Sequence, residues 1–261
     1  MDIKELNVNN QQHSNQNHPW EYARASVIND LLKRFPLNGS TQYVLDIGCG
    51  DAFFLNRYCQ WHNQTIPVAV DTAFSESIID SLKSRYADIH LQCYSNVDQV
   101  NLNGQKASVI FLMDVIEHIE DDVTFLSSLK NLDFVDENTL FVITVPAFNN
   151  LYCSHDKWLG HYRRYSQKSL LKSVGQAGLK NYRGGYFFTS LLLPRLLQKM
   201  FEKIKGAKNQ EPQGIGGWNG GTFISSLYKN VLLMDYYFFK IFRAIGLKVP
   251  GLSTYAICKL K

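Results

Sequence analysis

Three observations predict an α/β protein built on an open, mostly parallel sheet. Val44–Ala52 (VLDIGCGDA) reads as a buried strand running into a glycine turn, and Ala52-Phe53-Phe54-Leu55 starts a helix. Downstream, apolar runs at 66–70, 89–93, 107–112 and 139–145 alternate with helical stretches, the pattern of repeated strand–helix–strand units. A last strand-like run, Ser253–Leu260, returns after a long helical stretch. The 261 residues, 45% apolar and 19% charged, suit one globular domain with an insertion.

The glycine turn states the first functional constraint. Gly48 and Gly50 let a ligand lie against the main chain, and the helix start adds free N–H groups. A dinucleotide fingerprint would carry a third glycine where this chain has Phe53, which disfavours NAD. Asp46, Gly48 and Gly50, with Ala52 at the third position, resemble instead the acidic-x-Gly-x-Gly-x-Gly motif of class I S-adenosylmethionine-dependent methyltransferases. The resemblance implies a Rossmann-like, mostly parallel seven-stranded sheet with an antiparallel last strand. It also implies S-adenosyl-L-methionine as cofactor and S-adenosyl-L-homocysteine as product. Asp46, Gly48, Cys49 and Gly50 would then hold the amino-acid end. Asp71 and Thr72, after the strand Ile66–Val70, would hold the ribose, because a carboxylate accepts from both hydroxyls. Asn96 would meet the adenine, and Met113 and Asp114 would border the cofactor at the end of the fourth strand.

The elements follow in order. Residues 1–18 (MDIKELNVNNQQHSNQNH) form a polar tail without the apolar core of a signal sequence, so the chain is expected to be cytoplasmic. Trp20, Ala23, Val27, Ile28, Leu31 and Leu32 recur at helical spacing over Pro19–Arg34, with Pro19 suited to the first turn. HPWEYARASVI resembles the N-terminal helix that some small-molecule methyltransferases fold over cofactor and substrate. His18, Trp20, Tyr22 and Arg24 are therefore pocket candidates, against the plainer reading of aromatic packing. Ser75 caps a helix to about Arg85, and Asp121 or Asp122 starts another.

Two stretches carry the acceptor chemistry. DVIEHIED resembles the D-x-x-E-H segment that borders the methyl-transfer site in many small-molecule methyltransferases. Glu117 is read as substrate-binding and His118 as catalytic, or both as structural. After the fifth strand and Pro146, residues 145–165 gather His155, Asp156, His161, Tyr162, Arg163 and Arg164 in one segment expected to be irregular. It resembles the VPA…SxHD…GHxRRY segment of a bacterial methyltransferase subgroup. Methyl transfer is a displacement at carbon, so the protein must align the acceptor and help a hydroxyl lose its proton. His155 or His161 could be the base, Asp156 and Tyr162 could bind the acceptor, and Arg163 and Arg164 could grip a carboxylate or phosphate or else pin the loop.

Ser166 caps a helix ending near Gly178, and Asn181–Phe188 is a sixth strand. The division expected is a core over 19–189, a helical cap or membrane-facing insertion over 190–252, and a last core strand over 253–261. In the insertion, Leu193, Leu196, Leu197, Met200, Phe201 and Ile204 make a basic amphipathic helix, and 223–244 is nearly apolar all round. Charges interrupt both, so neither spans a membrane. The glycine-rich 214–221 (GIGGWNGG) reads as a hinge. Residues 190–261 hold eleven Lys and Arg against three Asp and Glu, a surplus of eight. The whole chain carries +4, so the first 189 residues are net −4. The basic part suits an anionic partner, and the insertion is read as a lid, a peripheral membrane contact or a homodimer interface.

Five irregularly spaced cysteines suggest neither disulfides nor zinc, and no metal ligand set is visible. Nucleic acid is not expected, since no aromatic stacking surface accompanies the basic residues. The reading is methyl transfer, to oxygen, of a small or lipid-linked molecule such as a secondary metabolite, quinone-like compound or glycolipid precursor. The alternatives are a nucleotide-dependent oxidoreductase or epimerase, whose Tyr-x-x-x-Lys spacing occurs at Tyr236–Lys240 in the apolar insertion, and a non-catalytic membrane-surface cofactor-binding protein.

Overall fold

A computed structural model describes residues 18–35, 42–205 and 220–261. The tail before His18 and most of the 214–221 hinge lie outside the described residues. In chain order the main elements are α1 (Pro19–Leu32), β1 (Gln42–Ile47), α2 (Phe53–Trp61), β2 (Thr65–Val70), α3 (Glu76–Arg85), β3 (Gln92–Tyr94), β4 (Ala107–Met113), α4 (Asp122–Leu129) and β5 (Leu140–Pro146). There follow α5 (Ser154–Leu159), α6 (Gln167–Gln176), β6 (Leu179–Phe187), α7 (Leu192–Lys205), α8 (Thr222–Ala244) and β7 (Ser253–Leu260).

The strands form one seven-stranded sheet in the order β3-β2-β1-β4-β5-β7-β6, in which β7 runs antiparallel to both neighbours. The sheet, its antiparallel last strand and the helical insertion before it are as the sequence predicts. Because helices cover both faces, the central strands are apolar on both sides. Val44, Val109, Phe111 and Val142 join α1 and α2 in one core. Leu45, Ile110, Leu112 and Ile143 join α4 and α6 in the other. β1 pairs with both β2 and β4, so the direction of winding reverses beside it and a crevice opens at the carboxyl ends.

Two local readings are corrected. The third strand starts at Gln92, not Ile89, because Ala87–Ile89 forms a 3₁₀ turn closed by His90 in the left-handed region (φ 50°). The segment after β5 is also less irregular than expected. It holds a 3₁₀ turn at Asn149–Leu151 and the helix α5, which ends on Gly160 (φ +81°).

In the insertion, α7 lies against the core by its polar side, and α8 combines the buried Leu232 and Tyr236 with polar anchors. Asp235 of α8 accepts from the backbone N–H groups of Thr189 and Ser190 at 2.9 and 2.8 Å. Tyr236 and Lys240 both donate to Asp30 of α1, at 2.7 and 2.6 Å. The Tyr-x-x-x-Lys pair thus fastens two helices together. On α7, Glu202 accepts from the N–H and hydroxyl of Ser154, and Lys199 donates to the Asn150 carbonyl. The apolar side is left facing outward, with Ile204 77% and Phe223 81% exposed. Leu193, Met200, Met234 and Ile241 continue it. No described helix is long and apolar enough to cross a membrane.

Candidate active site

The carboxyl edge of the sheet is where backbone strain collects. Ala52 (φ 56°) follows β1, Asp114 (φ 60°) follows β4, Phe148 (φ 62°) lies just past β5 and Phe188 (φ 61°) follows β6, all in a region that side chains with a Cβ avoid. Gly48 (φ +74°) has a second reason to be glycine, since a Cβ there would sit 2.7 Å from Val115. The loop it opens is held from below: Gly50 N–H donates to Asp71 Oδ2 at 2.9 Å, and Ala73 N–H to Asp71 Oδ1 at 3.0 Å.

Around this loop lies a closed cavity of about 10 Å³, lined by Glu21, Arg24, Asp46, Gly48, Cys49, Asp51, Phe53, Phe54 and Met113. It has room for about one water, because α1 lies over it. Arg24 of α1 is paired with Asp114 and stacks on Trp20, and Tyr22 packs edge-on against Phe53. Asp46 is 1% exposed and its Oδ1 has no hydrogen-bond partner. Burial pushes its carboxyl up to about 7, against the pull of Arg24. A buried acceptor without a donor is costly. Here that acceptor lies at the wall of the cavity.

The second cluster joins the turn after β4 to the segment after β5. Tyr162 N–H donates to the Glu117 carbonyl at 2.7 Å, and the Tyr165 hydroxyl donates to the Ile116 carbonyl and to Asp122. The His118 and His161 rings meet edge-on, with centroids 4.6 Å apart. Glu117 lies with them at 0% exposure, and neither of its carboxylate oxygens has a hydrogen-bond partner. Burial, and Asp114 close by, push its carboxyl well above the usual range.

Asp156 holds this cluster in place. It is 0% exposed and takes Nδ1 of His161 at 2.9 Å, Nε of Arg164 at 2.7 Å, Nη2 of Arg195 at 3.0 Å and the N–H of Cys153 at 2.9 Å. Burial alone would raise this carboxyl. The hydrogen bonds from His161 and Arg164, with the Arg164 charge, prevail and hold it well below the usual range. His161 is gripped again by the Tyr152 hydroxyl on its carbonyl at 2.7 Å. With Nδ1 given to Asp156, its Nε2 is the nitrogen left for chemistry.

The sequence-derived residues therefore divide. Asp46, Gly48, Cys49, Asp71 and Met113 gather at the loop end, and Asp114 links them to α1 through Arg24. Thr72 and Asn96 are exposed, and Asn96 caps the 3₁₀ turn that follows it. Glu117, His118 and His161 come together, whereas His155 stacks on Trp158, its pKa lowered to about 4 by burial and then by Arg195. Asp156 and Arg164 are buried and paired with each other, and Asp156 also holds His161. Arg163 reaches the Glu120 carbonyl and Asp122, and Tyr162 is exposed beneath its guanidinium. A cleft of about 510 Å³ opens beside Arg163, lined also by Phe148, Asn149 and Ser166.

The expectation of no metal ligand set gives way to a cluster: Glu117, His118 and His161 offer ligand atoms within 4.8 Å of one another. Glu117 and His118 adjoin in the chain, but His161 is brought in by folding, so spacing alone could not reveal the set. Arg195 also escaped the sequence reading. It counted only as a charge on an amphipathic helix, and its partner lies 39 positions away.

A family model described as a methyltransferase domain matches residues 20–200. No curated protein sequence matches the chain. Among solved structures, coclaurine N-methyltransferase bound to N-methylheliamine and S-adenosylhomocysteine has a TM-score of 0.55 at 14% identity, covering 99% of this chain and 79% of that one. A putative methyltransferase complexed with the Haloferax volcanii Trm112 activator has a TM-score of 0.55 at 12% identity, covering 99% and 94%. Haemonchus contortus phosphoethanolamine N-methyltransferase 2 with S-adenosylmethionine gives 0.52 at 12% identity, covering 100% and 60%. At these identities the likeness is one of fold.

Proposed function

Because this chain belongs to the methyltransferase-domain family, we propose that it is an S-adenosylmethionine-dependent methyltransferase acting on a hydroxyl oxygen of a small or lipid-linked molecule. The cofactor, when bound, supplies an electrophilic methyl group. The residues at the loop end fit it. Gly48 and Gly50 let its amino-acid end approach the backbone, Asp71 offers a carboxylate to a diol, and Asp46 carries an acceptor oxygen awaiting a donor. Arg24 and Glu21 close the cavity, so α1 must shift for loading. The solved structures with cofactor or its product bound support the same donor.

The observation that carries the acceptor reading is the rigid His161–Asp156 pair facing Glu117 and His118. An acceptor hydroxyl held against these imidazoles can be relieved of its proton as it reacts, a contribution of about 10² to 10⁴ in rate. The insertion supports a lipid-linked acceptor. Its outward face is apolar over two helices, and the region is strongly basic, which suits an anionic bilayer surface. The oxidoreductase alternative loses its support, since Tyr236 and Lys240 are engaged with Asp30.

The test is transfer of labelled methyl from S-adenosylmethionine into two extracts in parallel, one of total lipids and one of water-soluble metabolites. Label is expected in the lipid arm as an alkali-stable ether. Label only in the aqueous arm would remove the lipid part of the reading, and label in neither would sink the whole. Flotation with vesicles one-third anionic in composition checks the surface, which a dimer burying the same helices would keep from floating.

A further inference from the structure

Buried carboxylates are normally paired or bound to a cation, because an unpaired charge in a dry site costs several kcal/mol. Glu117 has neither partner, although Arg164 and Arg24 lie near enough to be felt. Two imidazoles share its pocket, and the three ligand atoms span no more than 4.8 Å. An ion with bonds of about 2.1 Å sets its ligands roughly 3 to 4 Å apart. Side-chain adjustments of about 1 Å would close this set on one centre.

The surroundings match what metal sites need beyond their ligands. His161 gives Nδ1 to Asp156, the carboxylate–histidine arrangement that fixes the tautomer and turns Nε2 toward a metal. Asp156 is in turn fixed by Arg164, Arg195 and the Cys153 N–H, so the imidazole cannot swing away. The turn carrying Glu117 and His118 is tied to the segment carrying His161 by the bond from Tyr162 N–H to the Glu117 carbonyl. Asp114, at the end of β4, stands close enough to act on the Glu117 charge.

We propose that Glu117, His118 and His161 bind one divalent first-row transition ion. Two imidazoles and one carboxylate favour manganese, iron, cobalt, nickel or zinc over magnesium or calcium. Binding of the ion does not depend on the methyl-transfer reading. Its use does: the ion would hold the acceptor oxygen and ease loss of its proton, so that the imidazoles act through the metal and not as bases themselves.

The full-length protein, stripped with chelator and dialysed, is titrated with Mn²⁺ while the signal of free Mn²⁺ is followed by electron paramagnetic resonance. A parallel titration with Co²⁺ is read by its visible bands, and neither needs a methyl donor. One ion per chain is expected. His118→Ala and His161→Ala should each abolish saturable binding, and Glu117→Gln, which keeps the volume, should weaken it. Asp156→Asn should weaken it by about 10- to 100-fold, the range for loss of a ligand's supporting partner. Binding of S-adenosylmethionine by the variants shows that they are folded, and His118→Ala, which breaks no contact to Asp156, keeps the test open should His161→Ala unfold. Absence of saturable binding of either ion to the wild type, or unchanged affinity in the histidine variants, would overturn the proposal while leaving cofactor binding and methyl transfer to be judged separately.

Discussion

Asp46 and Asp156 are both buried carboxylates near the same edge of the sheet, yet their environments are opposite. Asp156 receives four donors and is held ionised. Asp46 has an oxygen with no donor at all and is pushed toward neutrality. The first is finished by the protein and makes the His161 region stiff. The second is left unfinished, and its completion is expected from a ligand. A buried charge thus serves rigidity in one place and binding in the other, and the hydrogen-bond census tells which.

Five substitutions would break or sharpen this contrast. The largest effect is expected from Asp156→Asn, which leaves Arg164 and Arg195 buried with a neutral partner. A loss of about 3 kcal/mol is expected from breaking such a cluster, read as a lower midpoint in denaturant. Because the folded value of Asp156 lies below its unfolded value of about 3.9, its stabilisation is full above that value and lost as pH falls below it. Wild type and variant should therefore converge in acid, and a gap unchanged from pH 7 to pH 2 would contradict the assignment.

Asp46→Asn should do the reverse. Its folded value, about 7, lies above the unfolded one, so the wild type loses stability as pH rises from about 4 through 7. The variant escapes that loss and should be more stable than the wild type at pH 8, with no difference near pH 3. Its affinity for S-adenosylmethionine should fall at least about tenfold, the equivalent of one lost hydrogen bond to a charged group. Equal or better binding by calorimetry would refute a ligand role for Asp46.

Ala52→Gly should gain about 0.5 to 1 kcal/mol by relieving the left-handed backbone, less the extra freedom glycine gives the unfolded chain. Thermal melts would resolve it. His155→Gln should change methyl transfer by less than about threefold, whereas His161→Gln should lower it by about 100-fold or more. Equal losses would mean that the His161 pair is not the working one.

Much of this was legible in the sequence, for reasons that can be named. The strand–turn–helix at Val44–Leu55 is local, and its glycines answer to sterics that no distant contact alters. Asp71 could be placed through the family resemblance, as the acidic residue that ends the strand after the glycine loop. The division of labour among His155, Asp156 and His161 could not be read. It depends on α5 turning His155 toward Trp158 and on Arg195 arriving from a helix in the insertion. Nor could the sequence tell which side of α7 meets the core, since an amphipathic pattern normally buries its apolar face and here Arg195, Lys199 and Glu202 on its polar face are the ones that dock.

The fastening of Asp30 to Tyr236 and Lys240 has a bearing on how the molecule is made. About two hundred residues separate the two helices it joins. Until α8 has been made, the first helix is held by its core packing and by Arg24 on Asp114, without this clamp. A truncated chain that stops before Thr222 should accordingly show fast amide exchange along residues 19–32, and the complete chain slow exchange there. The helix that covers the cavity beside Gly48 is thus synthesised well before the helix that locks it.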